Sequence, residues 1–596
     1  MYRNTLNTIT CALLLLTSCS NPIANQNGAV SSTSRIASQV GIDILKKGGN
    51  AFDAIVATGF ALAVTSPANG NLGGGGFLTA RTADGKVLTL DFREKAPANS
   101  FEEMFLDDQK NYDKEKAWFS HTSSGVPGTV NGLITIFNDY GSGNFTLEEI
   151  IRPAIELAQN GFPLEEGAAD GFDANKKYFV KDKGSNALFV KNTDNKVSEL
   201  LNSLNNGEIN QIEYESKLEN IDEWSAGDIF IQSDLAETLK RISANGINGF
   251  YDGKTAKLIV KEMNENNGLI SLKDLKEYNS IYRKPILGTY RNYTIVSMGP
   301  PSSGGVLLIQ MLNMLENFEM QNIERNSSEF VHIMTEIQRL AYADRSIHLG
   351  DPDFWDNPID MLTSKEYAKN RLELISLEKA TPSNQIAAGT TSKESIETTH
   401  YSVMDKFGNT VGITTTINFS YGNKKIVDGA GFLLNNEMDD FSPAPNTPNA
   451  FGLIGDKANA VKPYKRPLSS MSPTLVIDDQ GETILTIGAA GGSRIITAVL
   501  QIIVSVIDHG LNVQESIDFP RTHSQWKPDF IFVEDNALSS STKKELQNLG
   551  HKFYEDIAPG GTPYLARTHG IEKKKGRFIT GADKRGNQNG NEAITY

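Results

Sequence analysis

The sequence predicts a layered α/β or α+β fold, and three observations carry that prediction. An almost continuous apolar run, Ala51 to Val64, reads as a buried helix. Two hairpins of alternating residues lie in the C-terminal third, Thr398 to Asn418 and Thr474 to Ile487, each around a polar turn. Along the rest of the chain strands and helices alternate without a clean βαβ rhythm.

The elements follow in order. Arg3 precedes the apolar stretch Cys11 to Leu16 and then Leu16-Thr17-Ser18-Cys19, which reads as a secretory signal too short to span a membrane as a mature helix. Its ending resembles a bacterial lipobox, with Cys19 as the lipidated first residue; a plain signal cleaved nearby is the alternative. The first expectation gives residues 1–18 as a lipoprotein signal peptide and 19–30 as a tether. Ser34 to Leu45 has helical spacing and stops at Gly48-Gly49. After the buried helix come a glycine cluster, Gly73 to Gly76, and strands from Leu78 to Arg93. Phe101 to Ser280 reads as mainly helical, with surface helices over the charged stretch Lys176 to Glu223. An amphipathic helix is expected after Pro300 to Gly305, and another from Phe330 to Leu349. Thr381 to Glu397 is polar and has no apolar period, so 380–397 is expected to be a mobile tail. The hairpin from Thr398 follows at once, then the strands at 474–487 and a helix from Arg494 to about Asp508.

At 596 residues the chain needs a composite domain or two. A formal net charge of −15 and the lack of long basic runs argue against a nucleic-acid partner. Both cysteines, Cys11 and Cys19, lie in the export segment, so neither can serve as a catalytic thiol of the folded domain. The eight histidines are scattered and show no H-E-x-x-H spacing, so no metal site is expected. A G-x-S-x-G elbow and a phosphate loop are also missing. Gly488 to Arg494 is a strand–turn–helix corner. It reads either as tight packing or as backbone N–H groups placed for an oxyanion.

The segment that points to chemistry is Thr398 to Ser402. A threonine hydroxyl needs a base, and a chain-terminal threonine carries one in its own α-amine, whose reference pKa is about 7.7–8.0. A polar loop that ends abruptly at a strand-initiating Thr suits that arrangement, although two threonines in a strand are also ordinary β propensity.

Ordered motifs decide between these readings. Gly48 to Ala54, Asn71 to Phe77, Asp91 to Glu94, Ser124 to Gly128, Pro300 to Gly305 and Ala341 to Arg345 are followed by Thr398 to Ser402, Leu433 to Phe441, Arg466 to Pro473 and Gly491 to Arg494. In this order and at these spacings the chain resembles the γ-glutamyltransferase (γ-glutamyltranspeptidase) family. The resemblance implies an α+β fold of the N-terminal-nucleophile hydrolase type, a four-layer αββα sandwich built from both subunits of a self-cleaved precursor. The cut then falls between Glu397 and Thr398, giving a large subunit 31–397 and a small subunit 398–596.

Roles carried over from the family are matched residue by residue. Thr398 is the nucleophile, supported by Thr416, and Gly491 and Gly492 hold the oxyanion. Arg93, Ser469 and Ser470 match the binders of the donor carboxylate, while Asn418, Glu437 and Asp440 match those of its ammonium. Read singly, Arg93 is a surface ion pair, Glu437 to Asp440 a solvated acidic turn, and Ser469-Ser470 a loop or cap. Glutathione or another γ-glutamyl compound is the implied donor, and water, an amino acid or a dipeptide the acceptor. No cofactor is implied. Where many bacterial members carry a lid tyrosine this chain has Phe451, and Gly581 to Arg585 is a looser match. Two rivals remain: a cephalosporin (glutaryl) acylase of the same fold, and a non-catalytic surface lipoprotein. The export segment implies a periplasmic enzyme anchored to a membrane through Cys19.

Overall fold

The structure, a computed structural model, describes residues 27–191, 196–219, 221, 223–386, 398–442, 457–556, 564–586 and 592–596. Two antiparallel sheets form its centre. The seven-stranded sheet runs in the order Ile594–Thr595, Gly28–Ser31, Thr399–Asp405, Thr410–Thr416, Gly75–Arg81, Val87–Phe92, Ile281–Arg283. The six-stranded sheet runs Arg577–Ala582, Arg567–Lys574, Thr483–Ala490, Thr474–Ile477, Tyr293–Ser297, Ile286–Tyr290. The sheets face each other, with Thr399–Asp405 and Thr410–Thr416 packed on Thr483–Ala490. Helices Arg35–Lys46, Ala51–Thr65 and Thr129–Tyr140 cover the outside of the first sheet. Gly304–Leu315 and Arg494–Ile507 cover the second, and Ser328–His348 packs on Gly304–Leu315. The result is the four-layer αββα sandwich expected from the motifs.

Local chemistry explains the central helix. Asn50 Oδ1 accepts from the backbone N–H of Phe52 and Asp53, both at 2.9 Å, and Asp53 accepts from Asn50 N–H at 2.9 Å. This capping box starts Ala51–Thr65, every residue of which is buried, as its unbroken apolar run predicts. Separate apolar cores lie on the outer face of each sheet, under its helices.

Between the sheets, beside small apolar clusters such as Ala29, Met404, Ile571 and Phe578, the packing around His400 is polar and tight. His400 Nδ1 bonds Thr414 Oγ1 at 2.8 Å, its Nε2 bonds Ser402 Oγ at 2.9 Å, and Ser402 Oγ lies 3.2 Å from Thr486 Oγ1. A Cβ on Gly488 would come within 2.2 Å of His400 Nδ1, so this position admits only glycine. Burial holds the His400 imidazole well below its ordinary pKa, and it is therefore neutral.

Four expectations are corrected. Gly28–Ser31 is no tether: it is a buried strand, paired on one side with Ile594–Thr595 and on the other with Thr399–Asp405. Of the tail expected over 380–397, the described residues 380–386 are held in place. Ala380 N–H bonds Leu549 O at 2.7 Å, Thr381 N–H bonds Glu336, and Ser383 O accepts from Trp526 Nε1 at 3.0 Å. Gly304–Leu315 is buried all round rather than amphipathic, because the second sheet and the helices Ser328–His348, Lys365–Leu372 and Arg494–Ile507 enclose it. The stretch Lys176 to Glu223 is not simply a surface layer: Phe179 and Phe189, with Phe172 just before it, gather around Tyr421 and tie the start of the stretch to the core.

Candidate active site

Thr398 immediately precedes the strand Thr399–Asp405 and is buried. The expected cleavage partner Glu397 lies outside the described residues, as do Cys19 and Phe451. Pairing of Thr399 with Thr415 brings Thr398 beside Thr416, where their hydroxyl oxygens lie 3.5 Å apart. Thr416 Oγ1 also accepts the Asn418 N–H at 2.8 Å. This bond holds the chain as it leaves the strand, and Asn418 takes the left-handed conformation, φ 71°.

The glycine corner lies opposite. Strand Thr483–Ala490 ends at Gly491, φ 143°, and Gly492, φ 56°, before helix Arg494–Ile507. A Cβ on Gly491 would lie 2.8 Å from Ala566 Cα. Positive φ and the close approach both call for glycine, so the two alternatives raised by the sequence are compatible: the corner packs tightly and still turns its backbone toward the cleft.

The charged floor comes from the other sheet's rim. Arg93, fully buried after Val87–Phe92, donates from Nη1 to Glu437 and from Nη2 to Asp440, and its Nε donates to Pro467 O at 3.3 Å. Glu94 Oε2 lies 3.5 Å from Arg93 Nη1. Burial alone would weaken the arginine's charge; Glu437, Asp440 and Glu94 more than offset it and hold the guanidinium above its ordinary pKa. Burial raises the carboxyls of Glu437 and Asp440 against the pull of Arg93, and pushes Glu94 up to about 7. The sequence reading missed Glu94 as a member of this cluster. The available signal was its place beside Arg93 at a strand end.

One cleft of about 310 Å³ is lined by Arg93, Thr398, Thr416, Asn418, Glu437, Asp440, Ser469, Ser470 and Gly492, with Leu468, Met471 and Ile495 as an apolar wall. The structure thus brings together nine of the ten candidate residues with described positions; the tenth, Gly491, precedes Gly492 in the same corner. Three buried polar atoms in this lining have no partner among the described residues: Asn418 Oδ1, Glu437 Oε2 and Ser470 Oγ. Such atoms are costly unless a ligand or water satisfies them. Asn418 Nδ2, by contrast, is held by Asn436 O at 2.9 Å, which fixes the amide with its oxygen free.

Two described clusters carry metal-capable side chains, His332/Glu336/His551 and His121/Asp182/Glu262. Neither lines the cleft. In the first, His332 and His551 bond each other at 2.7 Å and Glu336 takes Arg339 and Thr381.

Comparisons with known proteins give the family and the fold. The family model described as Gamma-glutamyltranspeptidase matches residues 37–593. The chain is 45% identical over 544 residues to the glutathione hydrolase proenzyme of Escherichia coli (strain K12), covering 91% of this chain and 88% of that one. It is 42% identical to the crystal structure of Helicobacter pylori gamma-glutamyltranspeptidase, with a TM-score of 0.54 over 59% of this chain and 93% of that one. Cephalosporin acylase from Bacillus halodurans shares the fold, with a TM-score of 0.77 over 96% of both chains at 24% identity. With a family match spanning almost all of its described length, the chain belongs to the gamma-glutamyltranspeptidase family.

Proposed function

We propose that this protein is a γ-glutamyltransferase and glutathione hydrolase, made as a proenzyme that cuts itself between Glu397 and Thr398. The observation that carries the reading is the set of unpartnered buried atoms beside Thr398: Asn418 Oδ1, Glu437 Oε2 and Ser470 Oγ. A γ-glutamyl donor offers a complementary group to each, its ammonium to the first two and its carboxylate to the third.

In the precursor, Thr398 Oγ attacks the carbonyl of Glu397 and water opens the resulting ester. This frees the Thr398 α-amine to act as base. In catalysis, Thr398 Oγ attacks the donor γ-carbonyl and its proton passes to the α-amine. The N–H groups of Gly491 and Gly492 take the oxyanion. The leaving amine departs with that proton, leaving a γ-glutamyl ester on Thr398. Water, an amino acid or a dipeptide then attacks the ester. Arg93, Ser469 and Ser470 bind the donor carboxylate, and Asn418, Glu437 and Asp440 its ammonium. Thr416 orients the nucleophile. The large and small chains stay together because they share both sheets: Gly28–Ser31 and Gly75–Arg81 flank the small chain's hairpin.

A glutaryl acylase needs no ammonium pocket, so Asn418 Oδ1 and Glu437 Oε2 disfavour that alternative, and a complete nucleophile and oxyanion corner disfavours a non-catalytic lipoprotein. Turnover of γ-glutamyl-p-nitroanilide against glutaryl-p-nitroanilide tests the choice. The γ-glutamyl substrate should be strongly preferred, and equal or reversed preference would overturn the reading. The export segment supports a periplasmic enzyme anchored through lipidated Cys19. Cys19→Ala should move activity from the membrane to the soluble fraction, and an unmutated protein that is already wholly soluble after export rules the anchor out.

A further inference from the structure

Two motif runs of the large chain, Pro300 to Gly305 and Ala341 to Arg345, take no part in the chemistry assigned above. Both nevertheless touch its framework. Arg345, buried in the helix Ser328–His348, donates from Nε to Ser303 Oγ at 2.9 Å. Ser303 Oγ in turn donates to Ser469 O at 2.8 Å, and Ser303 N–H reaches the same carbonyl at 2.9 Å. Ser469 N–H bonds Pro301 O at 2.8 Å and Ser302 Oγ bonds Met471 O at 2.6 Å, so the turn holds the Ser469-Ser470 segment from several points. One helical turn before Arg345, Tyr342 donates its hydroxyl to Ser493 O, directly after Gly491 and Gly492. Residues three apart share a helix face, so a single turn reaches both walls of the cleft.

We propose that the helical turn Tyr342–Arg345 is a two-armed positioning device, in which Arg345 acts through Ser303 on the donor-carboxylate seat and Tyr342 acts on the oxyanion corner. This rests on the reading of the cleft given above. The two arms act at different stages of the reaction. The Ser469-Ser470 seat contacts the non-reacting end of the donor, whose binding is the same in ground and transition states, so its disturbance appears in KM. The Gly491-Gly492 corner meets charge only as the tetrahedral state forms, so its disturbance appears in kcat. Arg345 also adds a second buried cation near Asp440. It opposes the rise that burial causes in the Asp440 carboxyl, alongside the larger influence of Arg93. The groups around that carboxyl are Arg93, Glu437 and Glu94 on the floor, Tyr112 to one side and Arg345 from the helix.

The test is steady-state hydrolysis of γ-glutamyl-p-nitroanilide by the processed forms of Ser303→Ala, Arg345→Gln, Arg345→Lys and Tyr342→Phe. Ser303→Ala removes one relay bond and should raise KM about two- to twelvefold with kcat little changed. Arg345→Gln should raise KM further and move the acid limb of the KM profile to higher pH, since Asp440 loses a stabilising charge. Arg345→Lys should restore the position of the acid limb but not the full KM. Tyr342→Phe should lower kcat about two- to twelvefold and leave KM near the wild-type value. All four should still process themselves. If KM rises and kcat falls together in every variant, in step with a loss of thermal stability, the turn is only structural and the proposal is overturned. Should Arg345→Gln fail to fold, the opposite responses of Ser303→Ala and Tyr342→Phe decide the matter. A wild type that cannot use the donor overturns the reading of the cleft, and this inference with it; an active wild type indifferent to these changes overturns this inference alone.

Discussion

Arg93 and Glu437, 344 residues apart in the chain, are bonded to each other in the floor of the cleft, Nη1 to Oε1. One comes from the chain expected to carry the large subunit and the other from the small one. The pair therefore joins the proposed carboxylate seat to the proposed ammonium seat. Because Asp440 occupies the second prong of the same fork, a zwitterionic donor enters an electrostatically matched site rather than creating one.

Arg93→Ala should raise KM for γ-glutamyl-p-nitroanilide strongly while self-cleavage continues. Removing the cation costs roughly 2–5 kcal/mol, because it leaves the donor carboxylate and two buried carboxyls unpaired. Arg93→Lys should rescue only in part, since one ammonium cannot bond both prongs. Kinetics on the processed variants checks this; an unchanged KM removes Arg93 from the site.

Thr398→Ala should give a single full-length chain without activity. The wild type should show two bands, the smaller beginning at Thr398. Gel electrophoresis with N-terminal sequencing decides, and a small band that starts at Thr399 would move the nucleophile.

Glu94 gives stability a predictable pH dependence. Its carboxyl titrates near 4.5 when exposed and at about 7 in the fold, chiefly through burial. Below the first value both states are protonated and there is no effect. Between the two values the unfolded chain releases a proton that the folded chain keeps, so stability falls as pH rises, by about 1.4 kcal/mol per pH unit at most. Glu94→Gln lacks this loss. Its melting temperature should gain on the wild type as pH rises from 4.5 to 7 and hold that lead above 7. A constant difference across the range means that Glu94 is ionised throughout.

Gly488→Ala should destabilise the fold by about 1–3 kcal/mol or more, because the new methyl would overlap the His400 ring between the sheets. His400 cannot move aside without breaking its bonds to Thr414 and Ser402. Thermal unfolding of the variant measures the cost, and a wild-type melting temperature would mean that the two sheets can part locally.

The fold was legible wherever a local rule governs. The unbroken apolar run announced the central helix, and the alternation around Lys406 to Asn409 announced the hairpin that Thr398 precedes. Misreadings occurred where a distant partner decides. Gly28–Ser31 is short, made of small residues and continuous with a polar stretch, so it passes for the end of a tether, yet it lies buried because both its neighbours in the sheet come from the C-terminal third of the chain. Gly304–Leu315 carries polar Gln310 and Asn313 that suggest an exposed face, but the amide of Gln310 is bonded to Asp344 and that of Asn313 to Thr363 O.

By itself the sequence determined the family and named the candidate nucleophile and most of the candidate cleft residues, because ordered runs of glycine, serine and acidic residues at set spacings are a chemical signature that survives without coordinates. The tertiary structure alone decided how those residues meet. Spacing along the chain says nothing about which carboxylates a buried guanidinium finds, and the pairing of Arg93 with Glu437 and Asp440 follows from sheet register and loop return. Glu94 joined that cluster, and Arg345 and Tyr342 acquired their partners, for the same reason. A charge buried in a low-dielectric interior is defined by whatever lies within a few ångströms of it, and only folding sets those distances.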